Sequence, residues 1–399
     1  MHSTHKIELE KLSYAPPTAV LQNLQKKAWG LGGLFLIGTL VAFIVDWRSA
    51  AQAYLPAFLL FLGLTLGPLG WVLVWYLPGG RWGMPMRRIW EAASRNIWVA
   101  AALFFPIAIF YKEIFPWAHG GEGLTAFGHA WLTFPSFLIR AVIYFLVWGY
   151  LSYRMNALSA IQDRPHDWLY GKLKFLGGWG LLAYIWALTF ASIDWIMSLR
   201  PGWPSTMFPL IMLVGQAICG MAVGIIAARV LIEYEPMNVL IDDVVLHDNG
   251  KLLLACVMLW AYFSYSQWLI IWSGNLPEEI TWFLTRIRGG WGGVALFLVL
   301  FHFAVPFCIL LSRAIKKNVY RLVWLAAWMI FIRYVDLFWQ TAPTWSPEHL
   351  NLAKLWMYPV MALAMVGIWG ALFFRNLMQR PLVPAHDPRL FELYGEVHE

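Results

Sequence analysis

Residues 292–311 read GGVALFLVLFHFAVPFCILL, twenty residues without a single Asp, Glu, Lys or Arg. A bilayer span needs about 20 consecutive, mostly apolar residues. Because the hydrocarbon core offers no hydrogen-bonding partner to a free backbone, such a span has to be helical. The one side chain in the stretch with a reference pKa near neutrality is that of His302, near its middle. These residues therefore predict a transmembrane helix that carries a single deep imidazole.

Nine further stretches of similar length and hydropathy lie on either side of this one. Ten spans are predicted in all, at about 29–46, 54–77, 96–115, 132–153, 175–197, 206–232, 252–272, 292–311, 322–341 and 352–374. The segments between them are too short for a soluble domain. The sequence therefore predicts an all-α integral membrane protein with an N-terminal segment at 1–27, a ten-helix transmembrane domain at 28–374 and a tail at 375–399.

The composition supports the same class. Hydrophobic residues make up 60% of the 399 positions and charged residues 13%, whereas a soluble domain carries roughly 25% charged residues. The net charge of +7 does not indicate a nucleic-acid partner, because the basic residues lie in short connections between apolar spans. Residues 1–27 are polar and lack the short apolar core of a cleaved signal peptide. The expected surroundings are a lipid bilayer.

The distribution of Lys and Arg predicts the orientation. One side of the ten predicted spans receives 21 of the 29 Lys and Arg residues and the other side receives 5, with the remaining three in or at spans. Basic residues in short loops stay on the cytoplasmic side. We therefore expect both termini in the cytoplasm, and the predicted number of spans is even, as that arrangement requires. Spans 2–5 and 6–9 each form a run of four, which suggests two four-helix bundles flanked by spans 1 and 10.

Metal and haem ligands are scarce. The three cysteines form no CxxC motif, and of the ten histidines only His302 lies deep in a span. A membrane haem that is held by two histidines therefore has no pair of ligands here. No metal site, no catalytic residue and no redox cofactor of its own are predicted for this chain.

Ionisable groups inside spans are costly and are usually functional. Arg333 and Asp336 lie three residues apart in span 9 and share one helical face, so they can pair. Asp and His can gain and lose protons, whereas Arg stays charged and only biases a neighbour. The candidates for a proton path are Asp194, His302, Arg333 and Asp336, supported by Gln267, Ser264 and Arg140. The competing interpretation is a set of internal ion pairs and hydrogen bonds that lock helices together.

A different interpretation concerns the outer half of the first four-span run. Lys112, Glu113, Arg140 and Asp194 are all predicted to lie at that depth, which favours a common pocket for a quinol. No histidine is clearly placed there to take up a quinol proton. A stand-alone secondary transporter is a further alternative, although the chain shows no matching pair of spans broken by Gly or Pro.

Several long stretches resemble one family of membrane subunits. They are LHDNGKLLL at 246–254, WAYFSYSQ at 260–267, IIWSGNLPEEI at 270–280 and RGGWG at 288–292, with GGRWG at 79–83, FASIDWIMSL at 190–199 and HDPR at 386–389 in support. This set resembles the ActF subunits of bacterial alternative complex III, a quinol:electron-acceptor oxidoreductase, and covers nearly the whole chain. The family is similar to the NrfD/PsrC-like integral membrane subunits.

The resemblance implies a function that the residues alone do not. It implies a subunit of the bacterial cytoplasmic membrane that is not catalytic alone and that supports quinol oxidation, with menaquinol as the expected quinol. It implies two four-helix bundles and a role in a proton path or as a scaffold. The implied partners are an ActC-like quinol subunit, an iron–sulfur subunit, cytochrome c subunits that carry haem c, small membrane subunits and, in some assemblies, a terminal oxidase.

Overall fold

The computed structural model describes residues 9–120, 124–165 and 169–394. Ten helices in this part of the chain are long and apolar enough to cross a membrane. We label them in chain order: α1 Thr18–Val45, α2 Trp47–Trp75, α3 Arg87–Ile109, α4 Phe134–Ile161, α5 Tyr170–Leu199, α6 Phe208–Leu231, α7 Asp243–Gly274, α8 Trp291–Leu311, α9 Val319–Thr344 and α10 Met357–Leu377. The prediction of ten spans is confirmed.

Some of these helices change type along their length. α3 consists of the pieces Arg87–Ser94, Ile97–Leu103 and Phe105–Ile109, while α5 and α9 end in the 3₁₀ turns Met197–Leu199 and Ala342–Thr344. α8 contains a π-helical segment at Val299–Ala304. Short helices in the connections and termini are Leu9–Lys11, Tyr111–Ile114, Pro116–His119, Ala126–Trp131, Met237–Leu240, Pro277–Ile287, Arg313–Lys316 and Pro388–Tyr394.

Several helices begin earlier than the apolar stretches suggest. α2 begins at Trp47 instead of 54, and its cap is Asp46, whose carboxylate accepts from the Ser49 backbone nitrogen at 3.1 Å. α7 begins at Asp243 instead of 252, after the capping residue Asp242. A count of apolar residues detects only the part of a helix in hydrocarbon, whereas a capped helix continues into the polar region of the bilayer.

α2 and α6 are the two most deeply buried helices, and they cross at a pair of glycines. A Cβ on Gly67 would lie 2.0 Å from the Gln216 carbonyl oxygen, and a Cβ on Gly220 would lie 2.4 Å from the Gly67 carbonyl carbon. Only glycine permits this approach of two backbones. α1 and α10 meet in the same way at Gly32 and Gly367.

The remaining helices pack around this crossing. α2 contacts α3 and α5, and α4 contacts both α3 and α5, so that α2–α5 close a ring that we call the first helix set. α6 contacts α7 and α9, and α8 contacts both α7 and α9, so that α6–α9 close a ring that we call the second helix set. α1 packs mainly against α10, which in turn packs on α2.

Both terminal segments lie at the same end of the helices, which we call the inner end. The Leu382 backbone nitrogen donates to the Tyr14 carbonyl oxygen at 2.9 Å. At the opposite, outer end, the Lys354 ammonium lies 2.7 Å from the Asp46 carboxylate. Hydrogen bonds from Lys354 and Ser49 hold the pKa of Asp46 at about 2 despite its partial desolvation.

Candidate functional site

The Asp336 carboxylate lies buried in α9, one of the four helices of the second set. Arg333, one turn earlier in α9, donates from Nη1 to Asp336 Oδ2. Trp260 of α7 donates from Nε1 to the same oxygen at 3.2 Å, and Gln340 donates from Nε2 to Asp336 Oδ1 at 2.8 Å. The predicted pairing of Arg333 with Asp336 is present, because helical spacing places both on one face.

Arg333 fits between α9 and α6 because α6 has a glycine opposite it. A Cβ on Gly215 would lie 2.1 Å from the guanidinium carbon of Arg333. The Arg333 Nη2 atom also lies 3.4 Å from the sulfur of Met212 on α6. The guanidinium is therefore held between two helices of the second set and neutralises the charge of Asp336.

His302 lies in the π-helical segment of α8 and is fully buried. Its ring packs against the Trp260 indole with the centroids 3.9 Å apart and the planes tilted by 57°. Neither Nδ1 nor Nε2 has a hydrogen-bond partner among the described residues. A buried ring nitrogen without a partner is costly, and π-helical segments are frequent at functional sites.

A cavity of about 730 Å³ lies in the second helix set, between α6, α7, α8, α9 and the helix Pro277–Ile287. Its polar lining includes Asp336, Gln340, Gln267 and Ser264, and most of the remaining wall is aromatic or aliphatic. The Gln340 Oε1 atom is buried and has no partner among the described residues. The structure thus brings Asp336, Gln267 and Ser264 to one cavity, and Trp260, which lines the same cavity, links Asp336 to His302.

Gln267 itself is buried in α7, and its Oε1 accepts from the Ser205 hydroxyl at 3.1 Å. Ser264 is half-buried one turn earlier on the same helix. Both were predicted as supporting residues, and both border the cavity.

Asp194 lies in the first helix set, and its carboxylate is saturated. Arg140 donates to it from Nε at 2.7 Å and from Nη2 at 3.0 Å, Tyr144 donates from its hydroxyl at 2.7 Å, and Trp131 donates from Nε1 at 2.8 Å. Arg140 also donates to the Trp131 carbonyl oxygen and to the Ser136 hydroxyl. Asp194 and Arg140 therefore form a closed ion pair that joins α4 and α5.

Lys112 and Glu113 lie in the short helix Tyr111–Ile114 at the outer end. Lys112 is exposed, and the Glu113 carboxylate lies 3.6 Å from Nε of Arg48. Of the four residues that were predicted to share a quinol pocket, Asp194 and Arg140 pair with each other, Glu113 lies beside Arg48, and Lys112 is exposed.

A much smaller cavity, of about 20 Å³, lies where the two helix sets meet, and Ser192, Gln216 and Arg333 are among the residues that line it. This volume is enough for one water molecule. Gln216, which lines this cavity, accepts at Oε1 from the Tyr184 hydroxyl of α5 at 2.9 Å.

The structure reveals a buried ionic cluster at the inner end that the sequence analysis missed. Arg87, which falls between the predicted spans 54–77 and 96–115, begins α3, is fully buried and donates from Nη1 to Asp387 Oδ2 at 2.6 Å. Arg389 donates to the same carboxylate oxygen at 3.0 Å, and Glu91 lies 3.5 Å from Nε of Arg87. The helical spacing of Arg87, Arg88 and Glu91 was a sign of this cluster, whereas the contribution of the tail was not visible from spacing.

The cluster fixes the tail to the helices. Burial alone would raise the pKa of Asp387, but the ion pairs with Arg87 and Arg389 outweigh this effect and hold the pKa at about 2. The Arg389 guanidinium also lies over the Trp75 ring, 4.2 Å from its centroid. The tail is therefore an integrated part of the fold over its described length.

Arg286, in the helix Pro277–Ile287, is a second residue that the sequence analysis missed. It is buried, donates from Nη2 to the Gln340 carbonyl oxygen at 2.6 Å and lies 3.8 Å above the Trp282 ring centroid. Burial and the neighbouring Arg200 lower the pKa of Arg286 to about 9. Arg286 fixes the end of α9 beside the cavity.

Within the described ranges, no group of three or more His, Cys, Asp or Glu side chains is placed to hold a metal ion. A scan against models of known protein families finds no match, and a search of curated proteins finds no similar sequence.

Proposed function

We propose that this chain is a membrane subunit, without a redox cofactor of its own, of a bacterial quinol:electron-acceptor (cytochrome c) oxidoreductase. The resemblance of 246–292 and its supporting stretches to the ActF subunits of alternative complex III supports this assignment. The chain would lie in the bacterial cytoplasmic membrane with both termini in the cytoplasm. Its partners would be the ActC-like, iron–sulfur, cytochrome c and small membrane subunits, and in some assemblies an oxidase.

In this proposal, the two helix sets are the two four-helix bundles that the resemblance implies. Their separate closed rings of contacts support this arrangement, and α1 and α10 pack outside them as a pair. Related repeats placed side by side are a common design in membrane proteins that move ions or protons.

Within such a complex, we assign the proton-path role to the second helix set. The observation that carries this assignment is that Asp336 lines a cavity and is connected through Trp260 to His302, whose two ring nitrogens have no hydrogen-bond partner among the described residues. A proton path needs groups that exchange protons and space for the molecules that deliver them. Asp336 and His302 satisfy the first requirement, and the cavity satisfies the second.

The test is proton release per quinol oxidised by the whole complex in proteoliposomes. Asp336→Asn should lower this stoichiometry, because an amide cannot release a proton, and Asp336→Glu should retain it. Asp194→Asn is the matched control, and complexes that assemble with it should show an unchanged stoichiometry. An unchanged stoichiometry with Asp336→Asn would remove Asp336 from the path.

A stand-alone secondary transporter is the alternative, and the cavity of about 730 Å³ is the observation that favours it. Purification from native membranes separates the two. A subunit of the oxidoreductase should be isolated together with proteins that contain haem c and iron–sulfur clusters, whereas a transporter should be isolated without them. A quinol pocket in the outer half of the first set is less favoured, because the Asp194 carboxylate is already saturated.

A further inference from the structure

We propose that the inner ends of α3 and α10 bind the headgroup of an anionic phospholipid, with Arg95, Arg375 and Arg380 in contact with its phosphate. An acyl chain of the lipid would lie along the exposed face of α3. This surface lies outside the candidate site, and its occupation by lipid does not depend on the proposed function.

The first step is that three guanidinium groups lie close together at the inner end. Arg95 follows the first piece of α3, Arg375 lies in the last turn of α10, and Arg380 follows that helix. Arg95 donates from Nη1 to the Asn376 carbonyl oxygen at 3.4 Å and from Nη2 to the Gln379 side chain. The charges of Arg375 and Arg380 are near enough to act on Arg95. Arg95 and Arg380 are half-buried and Arg375 is exposed, so all three reach the surface.

The second step is the missing counter-charge. Among the residues that the structure describes, none of these three arginines forms an ion pair with a carboxylate. Arg380 instead donates to the neutral carbonyl oxygen of Asn156 at 2.7 Å. Glu91 is nearby, but its carboxylate already lies 3.5 Å from Arg87 and 3.4 Å from Arg88. The surface therefore has an excess of guanidinium groups, which bind phosphate oxygens well.

The third step is the apolar surface beside these charges. Arg95 is followed at spacings of three and four residues by Trp98, Ala102, Phe105 and Ile109, which we call the α3 stripe. Trp98 is 53% exposed, Phe105 is 67% exposed, and Ala102 and Ile109 are exposed as well. The distance along the helix from Arg95 to Phe105 is about 15 Å, half of a hydrocarbon core that is about 30 Å thick. The stripe thus offers one leaflet's depth of apolar contact.

The fourth step is the choice of ligand. A free phosphate ion would satisfy the guanidinium groups but would leave the α3 stripe uncovered. A zwitterionic phospholipid would cover the stripe, but it brings a cation of its own to the cationic surface. An anionic phospholipid such as phosphatidylglycerol supplies both an uncompensated phosphate and an acyl chain, and basic surfaces beside membrane helices attract such lipids.

The experiment measures which lipid the full chain retains. The chain is reconstituted in nanodiscs with equal amounts of dioleoylphosphatidylglycerol and dioleoylphosphatidylcholine, and native mass spectrometry counts the lipids that stay bound after its release. We expect the first bound lipid to be phosphatidylglycerol with a preference of about tenfold. Equal retention of the two lipids, as expected if a partner subunit rather than lipid covers this face, would overturn the proposal. Displacement of the phosphatidylglycerol by an excess of inorganic phosphate would overturn it too, because the site would then bind any phosphate.

Variants locate the site. Arg95→Gln combined with Arg375→Gln should remove the preference for phosphatidylglycerol. The matched control is Arg313→Gln combined with Arg321→Gln, two exposed arginines between α8 and α9, also at the inner end. This control loses the same charge and should retain the preference.

A single substitution keeps the test independent of folding. Arg375→Gln changes an exposed side chain and should lower the preference about threefold, whereas Arg375→Lys should retain most of it. A preference that persists in the folded double variant, or that the control loses to the same extent, would contradict the proposal.

Discussion

The two helix sets each bury an aspartate on their fourth helix, but they treat it differently. In the first set, Asp194 of α5 pairs with Arg140 of α4, and indole and phenol donors complete its shell. In the second set, Asp336 of α9 pairs with Arg333 on its own helix, and the ring nitrogens of the nearby His302 of α8 have no partner within the described part of the chain. Similar residue types thus give an ion pair with a full set of hydrogen bonds in the first set. In the second set they give an ion pair beside a cavity, with the incompletely hydrogen-bonded His302 nearby.

The difference teaches how to separate a structural charge from a functional one. A buried carboxylate with donors on every lone pair locks helices and has little reason to change its protonation. A buried carboxylate next to unpartnered groups and space can exchange with its surroundings. Both carboxylates are buried, so the number of hydrogen-bond donors around each carboxylate, rather than its burial, distinguishes Asp194 from Asp336.

The largest expected effect concerns the closed pair. Asp194→Asn leaves the Arg140 guanidinium buried without a counter-charge, which typically costs about 3–5 kcal/mol. The thermal unfolding midpoint of the purified protein should fall strongly. The control is Asp243→Asn, whose partner Lys317 lies 3.3 Å away at the surface and whose loss should cost at most about 1 kcal/mol. Equal midpoints for the two variants would show that Asp194 does not lock the first set.

The next effect concerns the crossing that joins the sets. Gly220→Ala places a Cβ about where the Gly67 backbone lies, so α2 and α6 have to separate, at a cost of about 1–3 kcal/mol. Gly293→Ala in α8 meets no atom within 4 Å and should be neutral or stabilise the helix by up to about 1 kcal/mol. The measurement is again the unfolding midpoint, and a harmless Gly220→Ala would argue against a tight crossing.

A third effect concerns the inner cluster that attaches the tail to the first set. Because the pKa of Asp387 is about 2 in the fold and 3.8 in its ordinary state, its ion pairs contribute fully above pH 4. The contribution, about 2 kcal/mol, is lost as the pH falls from 4 towards 2. The protection of residues 378–394 against hydrogen exchange, taken relative to the intrinsic exchange rate at each pH, should fall over that range. In Asp387→Asn, this protection should already be lower at pH 7 and should change less with acid.

The smallest expected effect on stability comes from a substitution of His302 in the second helix set. His302→Leu removes two buried nitrogens that have no partner in the described ranges, and it keeps an apolar contact with Trp260. The free energy of unfolding should therefore change by no more than about 1 kcal/mol. Proton release by the complex should fall nevertheless. A large loss of stability would mean that the imidazole has a structural partner, and the contrast between the two sets would be weakened.

Much of the fold was predictable from local sequence. All ten spans were found, because about 20 apolar residues in a row have few alternatives to a membrane helix. The Arg333–Asp336 pair was predictable too, since both residues lie on one helix. The early starts of α3 and α7 were not predictable, because the first turns of these helices are polar and a search for apolar stretches does not detect them.

The residues of the candidate sites were predictable from the sequence, but the hydrogen bonds and ion pairs that these residues make were not. Asp194 and Asp336 were identified on equal terms, since both are acids inside apolar stretches. The donors that distinguish them come from far along the chain: Arg140 is 54 residues from Asp194, and Trp260 is 76 residues from Asp336. The spacing of residues along one helix does not predict contacts between residues that are so far apart in the chain.

The sequence by itself determined that this chain forms membrane helices, because its apolar stretches exceed what a soluble core accommodates and match the thickness of hydrocarbon. The tertiary structure alone decided which buried acid accepts a full set of hydrogen bonds, where the cavity lies, and that the buried Gln340 Oε1 atom has no donor among the residues that the structure describes. The physical reason is that hydrophobic transfer depends on composition along one segment, whereas a hydrogen bond depends on where two distant segments bring their atoms.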